Sequence, residues 1–76
     1  MRTRGEHIQW CKERAHEEYA YYKQHAPNEA IPNAVASMAS DLGKHPETQR
    51  MQLTAVMLGM TVRDEPALRR FIDGFN

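Results

Sequence analysis

Only one cysteine, Cys11, occurs among the 76 residues. No internal disulfide can staple the chain, so its fold must rest on packing, as in cytosolic proteins. Net charge is missing too. Ten Lys and Arg balance ten Asp and Glu, which leaves no global field to draw phosphate or an anionic membrane. The four glycines are scattered singly, so there is no glycine-rich loop to cradle a phosphate. No apolar run approaches the ~20 residues of a membrane span; the longest, Met51–Met60, lies between Arg50 and Arg63. No stretch alternates apolar and polar residues as a half-buried strand would. Met1–Gly5 starts basic but no apolar region follows, so no secretory signal is expected and the cytoplasm is the default location.

What is present is globular in character: 41% hydrophobic and 26% charged residues, in proportions that disordered chains lack. The length predicts a single small domain with a limited core, and helical spacing of the apolar residues makes it all-α. Its architecture should be a bundle of three main helices plus a short C-terminal one. The first helix is expected over residues 6–24, where Ile8, Cys11, Ala15, Tyr19 and Tyr22 recur at spacings of three and four. Pro27 should end it, and residues 25–31 read as a linker with room for a turn of helix. The second helix is expected over 32–42, with Pro32 at its first position and Val35, Met38 and Leu42 as its buried stripe. Gly43 is placed to take the left-handed conformation, and Pro46 to restart the chain, so helices two and three should form a hairpin with a very short turn. The third helix is expected over 46–60. Its run from Met51 to Met60 is apolar on every side, which predicts a central rod with Leu58 in the core. The fourth is expected over 65–73, capped by Asp64 or Glu65, with Leu68, Phe71, Ile72 and Phe75 facing inward.

Candidate chemistry is sparse. The segment from Pro32 to Met60 invites a helix–turn–helix reading, because Ala39 and Gly43 resemble that motif's small residue and turn glycine. Gln49 and Gln52 stand where apolar anchors belong, however, and Lys44 and Arg50 are few cations for phosphate contacts. Nucleic acid is therefore a weak expectation. His7 and Cys11, four apart on one helix, can share a metal, but a third and fourth ligand are missing, so no metal and no cofactor are expected. Ser37, Ser40, Asp41 and His45 are near in sequence but lack a nucleophile-elbow pattern. No catalytic residue and no small-molecule substrate are expected.

The surface that stands out is the outer side of the first helix. Trp10, Arg14, Glu17 and Tyr21 recur at four, three and four, opposite the core stripe. Trp, Tyr and Arg are enriched at binding hot spots, so these four residues are the expected partner-binding site. A covering element, or a second copy in a homodimer, can bury the same stripe.

Three segments carry a resemblance: Gly5–Ala15 (GEHIQWCKERA), Ser37–Thr48 (SMASDLGKHPET) and Arg70–Asn76 (RFIDGFN). Together they resemble small uncharacterised proteins encoded by bacteriophages, many of them infecting actinobacteria. The resemblance implies a viral origin, a bacterial host cytoplasm and action by protein–protein binding. The leading expectation is a modulator or inhibitor of a host protein, defence systems included. A structural or assembly role in the phage particle is the alternative, and a helix–turn–helix regulator a further one.

Overall fold

Thr3 and Glu6 start the first helix. The Thr3 hydroxyl accepts from the Glu6 amide at 3.1 Å, and the Glu6 carboxylate accepts from the Thr3 amide at 2.9 Å. This capping box satisfies two donors that a helix start otherwise leaves free, and it sets α1 at Arg4–His25, longer at both ends than periodicity alone suggests. The computed structural model describes residues 2–76. Before Pro27, Ala26 is pushed to φ −153°, ψ 74°, which stops α1. A single 3₁₀ turn, Pro27–Glu29, follows and leads directly into α2, Ala30–Leu42. Pro32 thus occupies the third position of α2 rather than the first. It remains within the first turn, where a missing N–H costs nothing.

The core forms mainly between α1 and α2, the most extensive pairing in the molecule. Ile8, Cys11 and Ala15 of α1 meet Ala34, Met38 and Leu42 of α2, all buried. The short side chains of Ala15 and Ala34 let the two axes approach while Met38 and Leu42 fill the space beside them. The short helix α4, Glu65–Asp73, closes this core. The Asp64 carboxylate caps it by accepting from the Ala67 amide at 2.9 Å, and Pro66 lies in its first turn. Leu68, Ile72 and Phe75 are buried, and Phe71 packs edge-on to Phe75 at 5.3 Å between ring centroids. Two surface pairs hold α4 to α1: His16 with Asp73 at 2.9 Å, and Lys23 with Glu65 at 3.1 Å. Among the described residues all regular structure is helical, and no helix is long and apolar enough to cross a membrane.

Helix three departs from expectation in three ways. First, the regular helix α3 spans Met51–Gly59 only, not 46–60. Residues 43–50 form a chain of tight turns closed by i to i+3 bonds, such as Thr48 N–H to the His45 carbonyl at 3.1 Å. The hairpin with a very short turn is therefore replaced by an eight-residue connection, whose anchors are side chains. The Thr48 hydroxyl donates to the Leu42 carbonyl at 2.6 Å, and His45 Nε2 donates to the Arg2 carbonyl at 2.7 Å. Both bonds pull the connection onto the ends of α2 and α1, away from a continuous helical path. Second, Gly43 has φ −70°, so its predicted left-handed conformation is not used.

Third, α3 is not a central rod. Of its residues only Ala55 and Gly59 are buried, while Leu53, Val56, Met57 and Leu58 stand exposed. The reason is the closeness of α3 to α2. A Cβ built on Gly59 would overlap the Cγ1 of Val35, so α3 approaches α2 through its smallest side. A tight helix pair selects small residues at the contact and turns the large ones outward. Gly59→Ala should accordingly cost about 1–3 kcal/mol, because the branched Val35 cannot swing clear without leaving its rotamer. A denaturation midpoint unchanged by this substitution would show that the two helices are not in close contact.

Candidate functional site

Most of the apolar side chains that α3 turns outward share one side: Leu53 is 68% exposed and Met57 61%, with Val56 beside them and Met60 at 70% just beyond the helix end. Leu58, 52% exposed, points round the helix toward α4. Five large apolar groups on about two helical turns expose an apolar area on the order of 500 Å², near the largest patch that a monomer normally shows to water. Leu, Met and Val are flexible or compact enough to repack against a partner. Two grooves border this face. One, of about 430 Å³, runs between α2 and α3 and is lined by Ile31, Val35, Val56, Gly59 and Met60, with Arg63 at its rim. The other, of about 250 Å³, lies between the end of α3 and α4 and is lined by Leu58, Val62, Ala67 and Phe71, with Arg70 at its rim.

The four residues expected to bind a partner are divided between two settings. Trp10 is half-buried and its ring is covered by cations: the Arg2 guanidinium lies 4.1 Å from its centroid, Arg14 5.0 Å and Lys44 5.7 Å. The ring also stacks on His7 at 5.3 Å and packs against the edge of the core. Arg14 reaches inward to Asp41, with Nε 2.7 Å from Oδ2. Glu17 and Tyr21 face water, Tyr21 with 57% of its surface exposed, and share a shallow dent with Arg14, Glu18 and Tyr22. Trp10 is not among the residues lining that dent.

Beneath Trp10 lies a buried polar cluster that no sequence motif announces. His7, Asp41, His45 and Thr48 are all buried where α1, the end of α2 and the 43–50 connection meet. His7 Nε2 donates to the Asp41 carbonyl at 2.7 Å, and its ring sits 5.0 Å from that of His45. His45 Nδ1 accepts from the Glu47 amide at 3.1 Å, which places its proton on Nε2, the atom facing Arg2. Burial would raise the Asp41 carboxyl, but hydrogen bonds from Lys44 and Arg14, reinforced by their charges, hold it below its ordinary value. The cluster fastens elements together. His45 and Asp41 are committed to backbone and cations rather than to a serine hydroxyl, so no nucleophile–base pair is assembled from them.

Cys11 is fully buried, and burial, with the Asp41 charge second, pushes its thiol up to about 11. Such a thiol is a core residue and a poor nucleophile at neutral pH. His7 turns to the Asp41 carbonyl, and among the described residues no three His, Cys, Asp or Glu side chains converge as a metal-holding group. Compared with protein-family models, with curated proteins and with solved structures, the chain finds no match.

The exposure of α3 is not legible in the apolar pattern of the sequence, because its residues also fit a core. One sequence signal separates the two cases: Ala55 and Gly59, four apart, are the only small nonpolar residues of α3. They mark the side on which another helix can come close.

Proposed function

We propose that this chain acts by binding another protein through the exposed apolar face of α3. One observation carries this reading: Leu53, Val56, Met57, Leu58 and Met60 are left in water by a fold that buries smaller groups from the same segment. Leaving such a patch uncovered is unfavourable unless a partner removes it from solvent. The phage resemblance supplies the setting, in which the partner is a host protein, defence systems included, that the small protein modulates or inhibits. A component of the phage particle is the alternative partner.

The outer stripe of α1 is a second candidate surface, favoured by the exposure of Tyr21 next to Arg14 and Glu17 in one shallow dent. The nucleic-acid reading has less support. α3 contains no charged residue, and a helix that enters a DNA groove needs donors and cations where this one presents Leu and Met.

The test is affinity capture from infected host cells with wild-type protein, a Met57→Ser/Leu58→Ser variant and a Tyr21→Ser variant. Both substituted positions on α3 are solvent-exposed, so the first variant should melt as the wild type does yet lose its partner, by about 2 kcal/mol or more in a purified binding assay. Retention of the partner by that variant and its loss by Tyr21→Ser would move the site to α1. A virion protein in place of a host protein would make the chain part of the particle.

A further inference from the structure

We infer that the α3 face is built for one kind of occupant: an amphipathic helix of a partner protein whose apolar side is bordered by Asp and Glu. This rests on the docking role proposed for α3 and adds the chemistry of the partner.

The charge around the patch carries the inference. Between Glu47 and Asp64 the chain has no acidic residue, whereas Arg50 and Arg63 stand at the two ends of the apolar run. The groove between α2 and α3 has a single charged lining residue, Arg63, and the groove between α3 and α4 has a single one, Arg70. Arg4 lies at the start of α3, its guanidinium donating to the Met51 sulfur at 3.7 Å. Among the described residues none of these four arginines has a carboxylate within ion-pair distance; the pairs that form use Arg14, His16, Lys23, Lys44 and Arg69. Asp64, next to Arg63, turns its carboxylate to the Ala67 amide as the cap of α4. Among the described residues the charged side chains that line the two grooves are thus cations, with the nearby Asp64 carboxylate taken up as the cap of α4.

Shape narrows the occupant. The apolar side chains of α3 stand between two shallow grooves, one against α2 and one against α4, which meet at Val62. A helix laid in such a groove seats one residue at each i, i+3, i+4 and i+7 step, and its flanking residues fall along the groove rims. Acidic flanks would there meet Arg63 and Arg70. A second copy of this chain suits the face poorly. A two-fold interface sets the patch against itself, and arginines would then oppose arginines. A lipid surface suits it poorly as well. Helices that lie on membranes carry Lys and Arg along their own polar face, and α3 has none.

The experiment uses three synthetic helices of about 14 residues, roughly 21 Å long, with the same Leu and Phe face and with Glu, Gln or Lys on the flanks. Binding to the full chain is measured by fluorescence anisotropy at two salt concentrations. The Glu-flanked helix should bind about tenfold tighter than the Lys-flanked one, with Gln between, because several partly desolvated ion pairs together supply such a ratio. Raising the salt should narrow the spread. An Arg63→Glu/Arg70→Glu variant should reverse the order, and Met57→Ser/Leu58→Ser should weaken all three helices alike. Equal affinity for the three, lost in the α3 variant, overturns the acidic occupant and leaves the docking role of α3 standing. Binding that the α3 variant does not change overturns the docking role itself. If none of the three binds, a helical occupant is ruled out. Two controls carry the rival occupants: tighter α3-dependent binding to phosphatidylserine vesicles, or α3-dependent dimerisation in sedimentation, would each replace the proposed partner.

Discussion

Met38→Ala should destabilise the domain by about 2–5 kcal/mol, while Leu58→Ala should change its stability by no more than about 0.5 kcal/mol. Met38 is among the largest fully buried side chains, and truncating it leaves a cavity between α1 and α2 that the surrounding helices can only partly close. Leu58 is 52% exposed on α3, so its truncation removes little buried area and opens no cavity. A domain of this size holds about 4–11 kcal/mol in total, and the first substitution alone can therefore bring it near unfolding. Urea denaturation of both variants checks the ranking. Equal losses at the two sites would mean that α3 is packed on more than one side.

That contrast also shows how far the amino-acid sequence carries. The inward stripe of α4 was legible because that helix is amphipathic, with Leu68 and Ile72 buried on one side; on α1 the stripe holds for Ile8, Cys11 and Ala15 but not for Tyr19 and Tyr22, which are only partly buried. Periodicity identifies a core face only when the opposite face is polar. α3 has no polar face of that kind, so hydrophobicity could not indicate which side is covered. Closeness to α2 decides it in favour of Ala55 and Gly59, and that is a property of two helices together. The 43–50 connection was illegible for a related reason. Its conformation depends on side-chain bonds to backbone outside the connection, from His45 to the distant Arg2 and from Thr48 back to Leu42, whereas local sequence reports only that Pro46 can start a helix. The start of α1 was within reach, since Thr3 and Glu6 stand at capping-box spacing. The buried cluster was not, because His7 and Asp41 are 34 positions apart.

Asp41→Asn should cost about 1–3 kcal/mol near pH 7, and that deficit should disappear in acid. The Asp41 carboxylate is buried, with Arg14 Nε 2.7 Å from one oxygen and Lys44 Nζ 2.9 Å from the other. Asparagine keeps the shape but loses the charge. It leaves two cations that remain partly in water, so the penalty stays below that of an uncompensated buried ion. The sign with pH follows from the direction of the shift. The folded protein holds this carboxyl below its ordinary value, so its contribution is complete above the unfolded pKa of about 3.9 and is lost as pH falls through the folded one. Wild type should therefore lose stability below about pH 4 more steeply than Asp41→Asn, until the two coincide once the carboxyl is protonated in both states. The other depressed carboxyls, Glu6 and Glu65, are present in both proteins, so they cancel in the comparison. Denaturant midpoints measured from pH 7 downward give the difference directly. A gap that stays constant into acid would mean that the Asp41 carboxylate contributes through its shape and not through its charge, and that the bonds from Arg14 and Lys44 do not fasten the end of α2 to α1.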